Sequence, residues 1–217
     1  MVAKRFSHVR HWVFDLDNTL YHPSARLFDQ IEVKMTEYVM QSLNVDRTRA
    51  DHLRRHYWQT YGTTLAGLMR EHDVDPAPYL THVHEISLDH LERDDALAAA
   101  ISALPGRKIV YTNGSAPYGE RVLAARGLAA AFDAVYGVEH AGFHPKPDRA
   151  AFETVFEADG VDPKTGAMFE DDTRNLAVPH DMGMQCVHVA PEPADPAPPQ
   201  VHHHTDNLAD FLKNICR

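Results

Sequence analysis

Asp15 and Asp17 stand one residue apart at the end of a short apolar run, in "HWVFDLDNTLY" (residues 11–21), and turn-forming residues follow them at once. Two carboxylates that close repel and raise each other's pKa unless positive charge is shared between them. The pair asks for a cation, and three other segments carry matching chemistry. "YTNGS" holds Thr112, Asn113 and Gly114, a hydroxyl and a turn whose N–H groups, at the approach to a helix, suit phosphate oxygens. "HPKPD" holds Lys146 between two prolines, a point charge that can balance aspartates and a phosphate. "FEDDTRNL" brings Glu170, Asp171 and Asp172. The hard oxygens of Asp15, Asp17 and Asp171 suit Mg2+, which takes one or two carboxylates beside waters and substrate phosphate. An aspartate beside such a cation and a phosphate is a competent nucleophile, and a second carboxyl can protonate the leaving oxygen.

Each piece also has an ordinary structural use. An aspartate after a strand caps helices and forms turns, Thr-Asn-Gly is a common turn, and a lone lysine is usually solvated. Glu170-Asp171-Asp172 would serve as an acidic helix start. What singles them out is their order, each group following one short apolar run.

Those runs, at Trp12–Phe14, Lys108–Tyr111, Ala134–Tyr136, Ala167–Phe169 and Cys186–Val189, read as buried strands. Helical stretches lie between them: Pro117–Arg126 closed by Gly127, and Asp148–Ala158 closed by Gly160, both glycines suiting the left-handed position that ends a helix. The alternation predicts an α/β fold, a doubly wound parallel sheet whose ligands bind beyond the carboxyl ends of the strands. From Leu20 to about Leu91 the pattern is helical throughout. Leu27, Ile31, Met35, Tyr38 and Val39 share one face; after Asp46, Leu53, Tyr57, Trp58 and Tyr61 share another. Gly62 and Thr63 mark a stop and a start, and Asp75-Pro76 opens a helix with Tyr79, Leu80, Val83 and Ile86 on its apolar side. This predicts a four-helix cap domain over residues 21–91, inserted after the first strand of a core formed by residues 1–20 and 92–217.

"PEPADPAPP" (191–199) predicts an extended surface loop, and "HHH" (202–204) a solvated stretch running into a helix at Asn207–Ile215. The pairs His52/His56 and His82/His84 read as exposed side chains of the inserted region rather than zinc ligands.

Lys plus Arg total 21 against 31 Asp plus Glu, a formal net charge of -10, which argues against binding a nucleic acid backbone. Cys186 and Cys216, without CxxC spacing, indicate neither a disulfide framework nor a thiolate zinc site and fit a reducing cytoplasm. No stretch reaches the ~20 apolar residues of a membrane span, and the basic N-terminal residues lack a signal-peptide core. GxxxxGK[ST], the phosphate loop of a P-loop kinase, is absent.

In this order the four segments resemble the motifs of the haloacid dehalogenase superfamily, in its phosphatase branch: "DLDNTLY" the first, "YTNG" the second, Lys146-Pro147 the third and "FEDDTRNL" the fourth. The resemblance covers nearly the whole chain, since the family carries its cap after the first motif. It implies that Asp15 attacks phosphorus, that Asp17 trades protons with the leaving oxygen and then with water, and that Asp15, the Asp17 backbone carbonyl and Asp171 hold Mg2+. Thr112, Asn113 and Lys146 would hold the phosphoryl group, with Glu170, Asp172 and Asn175 around the metal. Asp17 sets the chain apart from the dehalogenases, which lack that acid. Asn18 stands where many relatives have glycine.

With "YGTTLAGL" in the cap, the chain looks most like pyrimidine 5′-nucleotidases that hydrolyse UMP and CMP. This implies that Tyr61 stacks on the base and that Thr63 and Thr64 bond its polar edge, against a structural reading in which Tyr61 is core and Thr63 a helix cap. Tyr21 and His22, at the entry to the cap, are lesser candidates for the same role. The alternatives are another small phosphate ester such as phosphoglycolate or a sugar phosphate, a sugar phosphomutase, and an inactive binding relative, the last disfavoured because nucleophile, acid, lysine and metal carboxylate are all present.

Overall fold

His11–Phe14 (β1) lies at the centre of a six-stranded parallel sheet, flanked by Arg107–Tyr111 (β2) and Gly166–Glu170 (β4). Ala134–Tyr136 (β3) pairs with β2, Gln185–Val189 (β5) with β4, and His203–Thr205 (β6) with β5, giving the order β3-β2-β1-β4-β5-β6. The computed structural model describes residues 2–216. The direction of winding reverses between β1 and β4, so their carboxyl ends flank the crevice where such sheets bind ligands.

Side-chain alternation along the strands splits the core into two layers. Trp12, Phe14, Val110, Phe169 and Val187 face one side, where Phe14 stacks on Phe169 with ring centroids 4.5 Å apart. Val13, Ile109, Tyr111, Met168 and Cys186 face the other. The first layer is covered by Val2–Phe6 (α1), Asp95–Ser102 (α6), Ala116–Arg126 (α7) and Leu208–Ile215 (α10); the second by Arg149–Asp159 (α8) and Ala177–Met182 (α9). Gly127 and Gly160 close α7 and α8 in the left-handed conformation, as their positions predict.

Between β1 and α6 come four helices: Leu27–Leu43 (α2), Arg47–Tyr61 (α3), Thr64–His72 (α4) and Pro76–Val83 (α5). Their starts are set by local chemistry. Asp46 accepts from Arg49 N, Thr63 from Ala66 N and Asp75 from Ala77 N, each satisfying a first-turn amide. Leu27, Ile31, Val39, Leu53, Tyr57, Leu65, Leu68, Tyr79 and Leu80 are buried within this unit. Trp58 departs from its expected place on the apolar face: at 49 % exposed it is among the large hydrophobic side chains left open. No helix among the described residues is long and apolar enough to cross a membrane.

The histidine run needs correction. His203–Thr205 is an edge strand, not a solvated stretch, with His203, His204 and Thr205 in register with Val187, His188 and Val189. A strand of three residues has no room for an apolar period, and it is fixed by backbone pairing with β5 and by packing of the His203 ring against Phe6 and Phe211. The segment 191–199 is an irregular loop, as its prolines require.

Candidate active site

The end of β1 brings the two aspartates into place by a short sequence of backbone bonds. Asp15 N still donates to Phe169 O at 2.9 Å, and the chain then turns so that Leu16 O accepts from both Thr19 N and Leu20 N. Asn18 makes the turn at φ 60°, a conformation glycine adopts freely and asparagine tolerates, which accounts for asparagine at this position. Asp15 is buried, and Thr19 Oγ1 donates to its Oδ2 at 3.2 Å.

Lys146 reaches the same place from the loop before α8. It is 1 % exposed, and its Nζ donates to Asp15 Oδ1 at 2.7 Å, to Glu170 Oε2 at 2.7 Å and to Tyr111 O at 3.0 Å. Burial would lower its pKa, but the carboxylates of Asp15 and Glu170 outweigh burial and hold it above its ordinary value. Lys146 is therefore a fixed positive charge.

Carboxylates outnumber it. Asp15, Glu170 and Asp171 place one oxygen each within 4.8 Å of one another. Burial, and after it the Glu170 charge, pushes Asp15 up to about 8. Burial and then the Asp15 charge push Asp171 up to about 9. Such crowding of hard oxygens around one lysine fits a divalent cation, whose charge would offset the repulsion. Glu170 is already bound to Lys146 and, through Oε1, to Asp172 N at 3.2 Å, whereas Asp171 takes only Asn18 Nδ2 at 3.2 Å on its carboxylate. Asp171 is thus the least committed carboxylate of the cluster, and Asp15, which shares its oxygens with Lys146 and Thr19, is its neighbour; these two side chains could hold Mg2+. Asp172 is better described by the ordinary reading: it caps the 3₁₀ turn Thr173–Leu176 and pairs with Arg174.

Asp17 lies apart from this cluster. Its Oδ1 accepts from Tyr21 Oη at 2.5 Å and from Tyr118 Oη at 2.8 Å. Burial raises its pKa, and the two phenol hydrogen bonds oppose the rise. The side chain of Asp17 is thus bonded to two phenols and stands outside the acidic group, so any part in a metal site would fall to its backbone carbonyl.

The turn after β2 differs in detail from expectation. Gly114 N–H is already taken by Thr112 Oγ1 at 2.9 Å, so that oxygen accepts and its own proton is left to donate. The Asn113 amide spans the backbone of Lys146, receiving from Lys146 N at 2.7 Å and donating to Lys146 O at 3.1 Å. Asn113 therefore fixes the lysine's position rather than offering its side chain to a ligand.

Above the acids opens a cavity of about 770 Å3, walled by the core turns on one side and by α2, α3 and the start of α4 on the other. Thr63 and Thr64 line it, Thr63 with its hydroxyl committed as a helix cap. Tyr61 does not: its hydroxyl donates to Glu71 Oε1 at 2.9 Å and Arg70 lies over its ring, away from the cavity. Phe28, Val33 and Trp58, the exposed large hydrophobics, all line this space, as do Arg54 and the buried Tyr79. His84 is also corrected: it is buried, with its ring stacked on Tyr118, not exposed. Tyr118 and Tyr79 carry no sequence signal beyond an aromatic on a helix. Tyr21, four residues after Asp17, was open to notice by spacing alone.

The comparisons agree with this geometry. Residues 9–183 match the family model described as haloacid dehalogenase-like hydrolase. Phosphate metabolism protein 8 of Saccharomyces cerevisiae is 27% identical over 187 residues, covering 79% of this chain and 58% of that protein, so the chain spans little more than half the length of this curated relative. Among solved structures, a HAD phosphatase from Thermococcus onnurineus superposes with TM-score 0.64 at 16% identity, covering 95% of this chain and 98% of its own. A 2-haloacid dehalogenase from Pseudomonas syringae pv. Tomato DC3000 gives 0.61 at 19%, covering 95% and 99%. The HAD-hydrolase YfnB of Bacillus subtilis, bound to magnesium, gives 0.60 at 16%, covering 95% and 98%. At these identities the structures speak for the fold alone, while the family model spans most of the chain and includes all four groups of site residues: the chain belongs to the haloacid dehalogenase-like hydrolases.

Proposed function

We propose that this hydrolase is a Mg2+-dependent phosphomonoesterase acting on a pyrimidine nucleoside 5′-monophosphate, with residues 21–91 as its cap. The observation that carries the reading is the paired arrangement at β1: Asp15 held by buried Lys146 at 2.7 Å, and Asp17, two residues on, held by phenols instead of by a cation. Lys146 thereby favours the ionised form of one aspartate, and the phenols place the other as a proton carrier.

In this mechanism an Asp15 oxygen bonds to phosphorus as the bond from phosphorus to the nucleoside oxygen breaks. Asp17 gives its proton to that oxygen, releasing the nucleoside and leaving an aspartyl phosphate. Asp17, now a carboxylate, takes a proton from water, whose oxygen attacks phosphorus and frees phosphate and Asp15. Lys146 and the Thr112 hydroxyl bind phosphoryl oxygens throughout. When bound by Asp15, Asp171 and the Asp17 carbonyl, Mg2+ supplies positive charge that offsets carboxylate and phosphate repulsion.

The nucleoside part of the proposal is supported by the cavity. A space of about 770 Å3 far exceeds a two-carbon acid and is of the size that holds a nucleoside. Its wall on the inserted helices mixes the exposed apolar side chains Phe28, Val33 and Trp58 with Arg47, Arg54 and Arg55, which suits a planar base carrying polar edges, and Thr64 and Tyr79 are polar groups buried beside it.

The test is phosphate release from UMP, CMP, dUMP, AMP, GMP, phosphoglycolate and hexose phosphates, with Mg2+ and with EDTA. Release that needs Mg2+ and favours UMP and CMP is expected. Preference for phosphoglycolate or a hexose phosphate would keep the mechanism and reject the substrate; no release from any member would reject the enzyme reading for these esters.

A further inference from the structure

The end of α5 and the start of α7 meet in a contact that reaches the proposed acid. Tyr118, in the first turn of α7, is buried and donates to Asp17 Oδ1 at 2.8 Å. Tyr21, on the chain leaving the β1 turn, donates to the same oxygen at 2.5 Å. Two donors on one oxygen fix the carboxyl's rotation and leave Oδ2 for the proton.

The Tyr118 ring is in turn covered by His84, with centroids 4.4 Å apart and planes 7° apart. His84 closes α5, the last inserted helix, and its Nδ1 lies 3.0 Å from the hydroxyl of Ser115, the residue that begins α7. Arg121 clamps the backbone that carries it, donating to His84 O at 2.9 Å and to Ile86 O at 3.0 Å. Gly114 keeps the assembly tight: a Cβ there would meet Tyr118 Cδ1 at 3.1 Å and His84 Nε2 at 3.3 Å. One helix start therefore holds Asp17 on one side and the returning end of the inserted unit on the other.

We propose that Tyr21 and Tyr118 are positioning residues for Asp17, and that His84 extends this arrangement into the inserted helices, so that the acid is aligned when α5 is seated against α7. The inference rests on the reading of Asp17 as the proton donor. As the leaving oxygen takes the proton from Oδ2, negative charge appears on the carboxyl whose Oδ1 faces two phenol donors, and hydrogen bonds to an anion are stronger than those to a neutral acid. The tyrosines thus favour proton release as the phosphorus–oxygen bond breaks.

The consequence depends on the leaving group. A nitrophenolate departs with little need of a proton, whereas the 5′-oxygen of uridine needs one. Single-turnover release, with enzyme in excess and Mg2+ present, is measured for p-nitrophenyl phosphate and UMP in wild type, Asp17→Asn, Tyr118→Phe, Tyr21→Phe, His84→Ala and His84→Phe. Asp17→Asn is expected to lose about 100-fold or more on UMP relative to the aryl ester, the scale of general acid catalysis. Tyr118→Phe should lose about tenfold more on UMP than on the aryl ester, in rate and not in half-saturating concentration, as fits one lost hydrogen bond to a charged group. His84→Ala should shift the same way and His84→Phe, which keeps a ring on Tyr118, should recover part of that loss.

If Asp17→Asn is leaving-group dependent but Tyr118→Phe and Tyr21→Phe slow both esters equally, the positioning proposal is overturned while the acid stands. Should Asp17→Asn itself slow both equally, Asp17 is not the proton donor and both ideas fall. Thermal melting of each variant identifies a folding defect, and the two tyrosine variants give independent readings of the same contact.

Discussion

Lys146 Nζ and Asp15 Oδ1 meet at 2.7 Å with both side chains buried, joining the loop before α8 to the end of β1. The lysine also holds Glu170 at 2.7 Å, so a single ammonium serves two carboxylates that have no bulk water to solvate them. Replacing it leaves buried acids unpaired, a change that typically costs about 3–5 kcal/mol. Lys146→Met is expected to lower the denaturation midpoint by that order at pH 7.5 and to abolish phosphate release. Asp15→Asn, which keeps shape and the Glu170 pair, is expected to abolish turnover with little loss of stability. Denaturant titration of both variants checks the asymmetry; equal destabilisation would contradict it.

Metal-free stability should fall as pH rises. Asp15, up at about 8, and Asp171, up at about 9, have an ordinary value of 3.8 in the unfolded chain, with burial the first cause for each. Between pH 4 and pH 8–9 the folded protein therefore binds more protons than the unfolded one, and each extra proton makes stability decline by about 1.4 kcal/mol per pH unit. The contribution of these two groups is full below pH 4 and lost above pH 9. A bound divalent cation favours the ionised carboxylates, so the rise in melting temperature on adding Mg2+ to EDTA-treated protein should grow from pH 5 to pH 9. Asp171→Asn should raise the metal-free melting temperature at pH 8 and remove most of the Mg2+ response. A Mg2+ response that shrinks with pH, or one kept by Asp171→Asn, would count against this cluster as the metal site.

Thr64 is buried against the cavity beside Tyr79, whose hydroxyl makes no hydrogen bond of proper geometry in the structure. If these groups bond the far end of a base, Thr64→Val removes a contact that phosphoglycolate is too short to reach. The expected result is a fall in kcat/KM for UMP on the order of tenfold, the scale of one hydrogen bond, with phosphoglycolate unaffected. An unchanged ratio between the two esters would return Thr64 to a purely structural place at the start of α4.

How much of this was legible in the sequence depended on which forces set each part. Strands β1, β2, β4 and β5 were readable because burial on both faces demands continuous apolar runs, and β3 was readable from its short β-prone run although it is a partly buried edge strand. The helix ends at Asp46, Thr63, Asp75, Gly127 and Gly160 were readable because caps use residue types with local reasons. Strand β6 was not, since main-chain pairing with β5 fixes it. The four groups of charged and polar residues were readable from their order after the strands. Glu170 was placed near the metal by position; its bond to Lys146 depends on a loop fold that spacing does not encode. Asn113 and Thr112 were read as ligands, yet each is partly spent holding the loop that offers it. Tyr118 and His84 come together from elements 34 residues apart in number, where an aromatic on a helix face looks like any core residue.

Arg174 lies 4.1 Å above the Trp58 ring while bonding Asp172, so a side chain of the turn after β4 rests on helix α3 across the cavity. Both partners are about half exposed, and such a cation–π contact contributes about 0.5–1 kcal/mol. That is too little to lock the inserted helices but enough to bias their approach to the core. Trp58 is also a convenient reporter, because the chain's other tryptophan, Trp12, is 1 % exposed in the core. Arg174→Ala is expected to blue-shift or brighten nothing in the core, to change Trp58 emission toward that of a solvated indole, and to raise KM for UMP by about two- to five-fold, the equivalent of that energy, with kcat nearly retained. A change in kcat at constant KM would instead place Arg174 with Asp172 in the chemical step, and unaltered emission would show that the two side chains do not meet in solution.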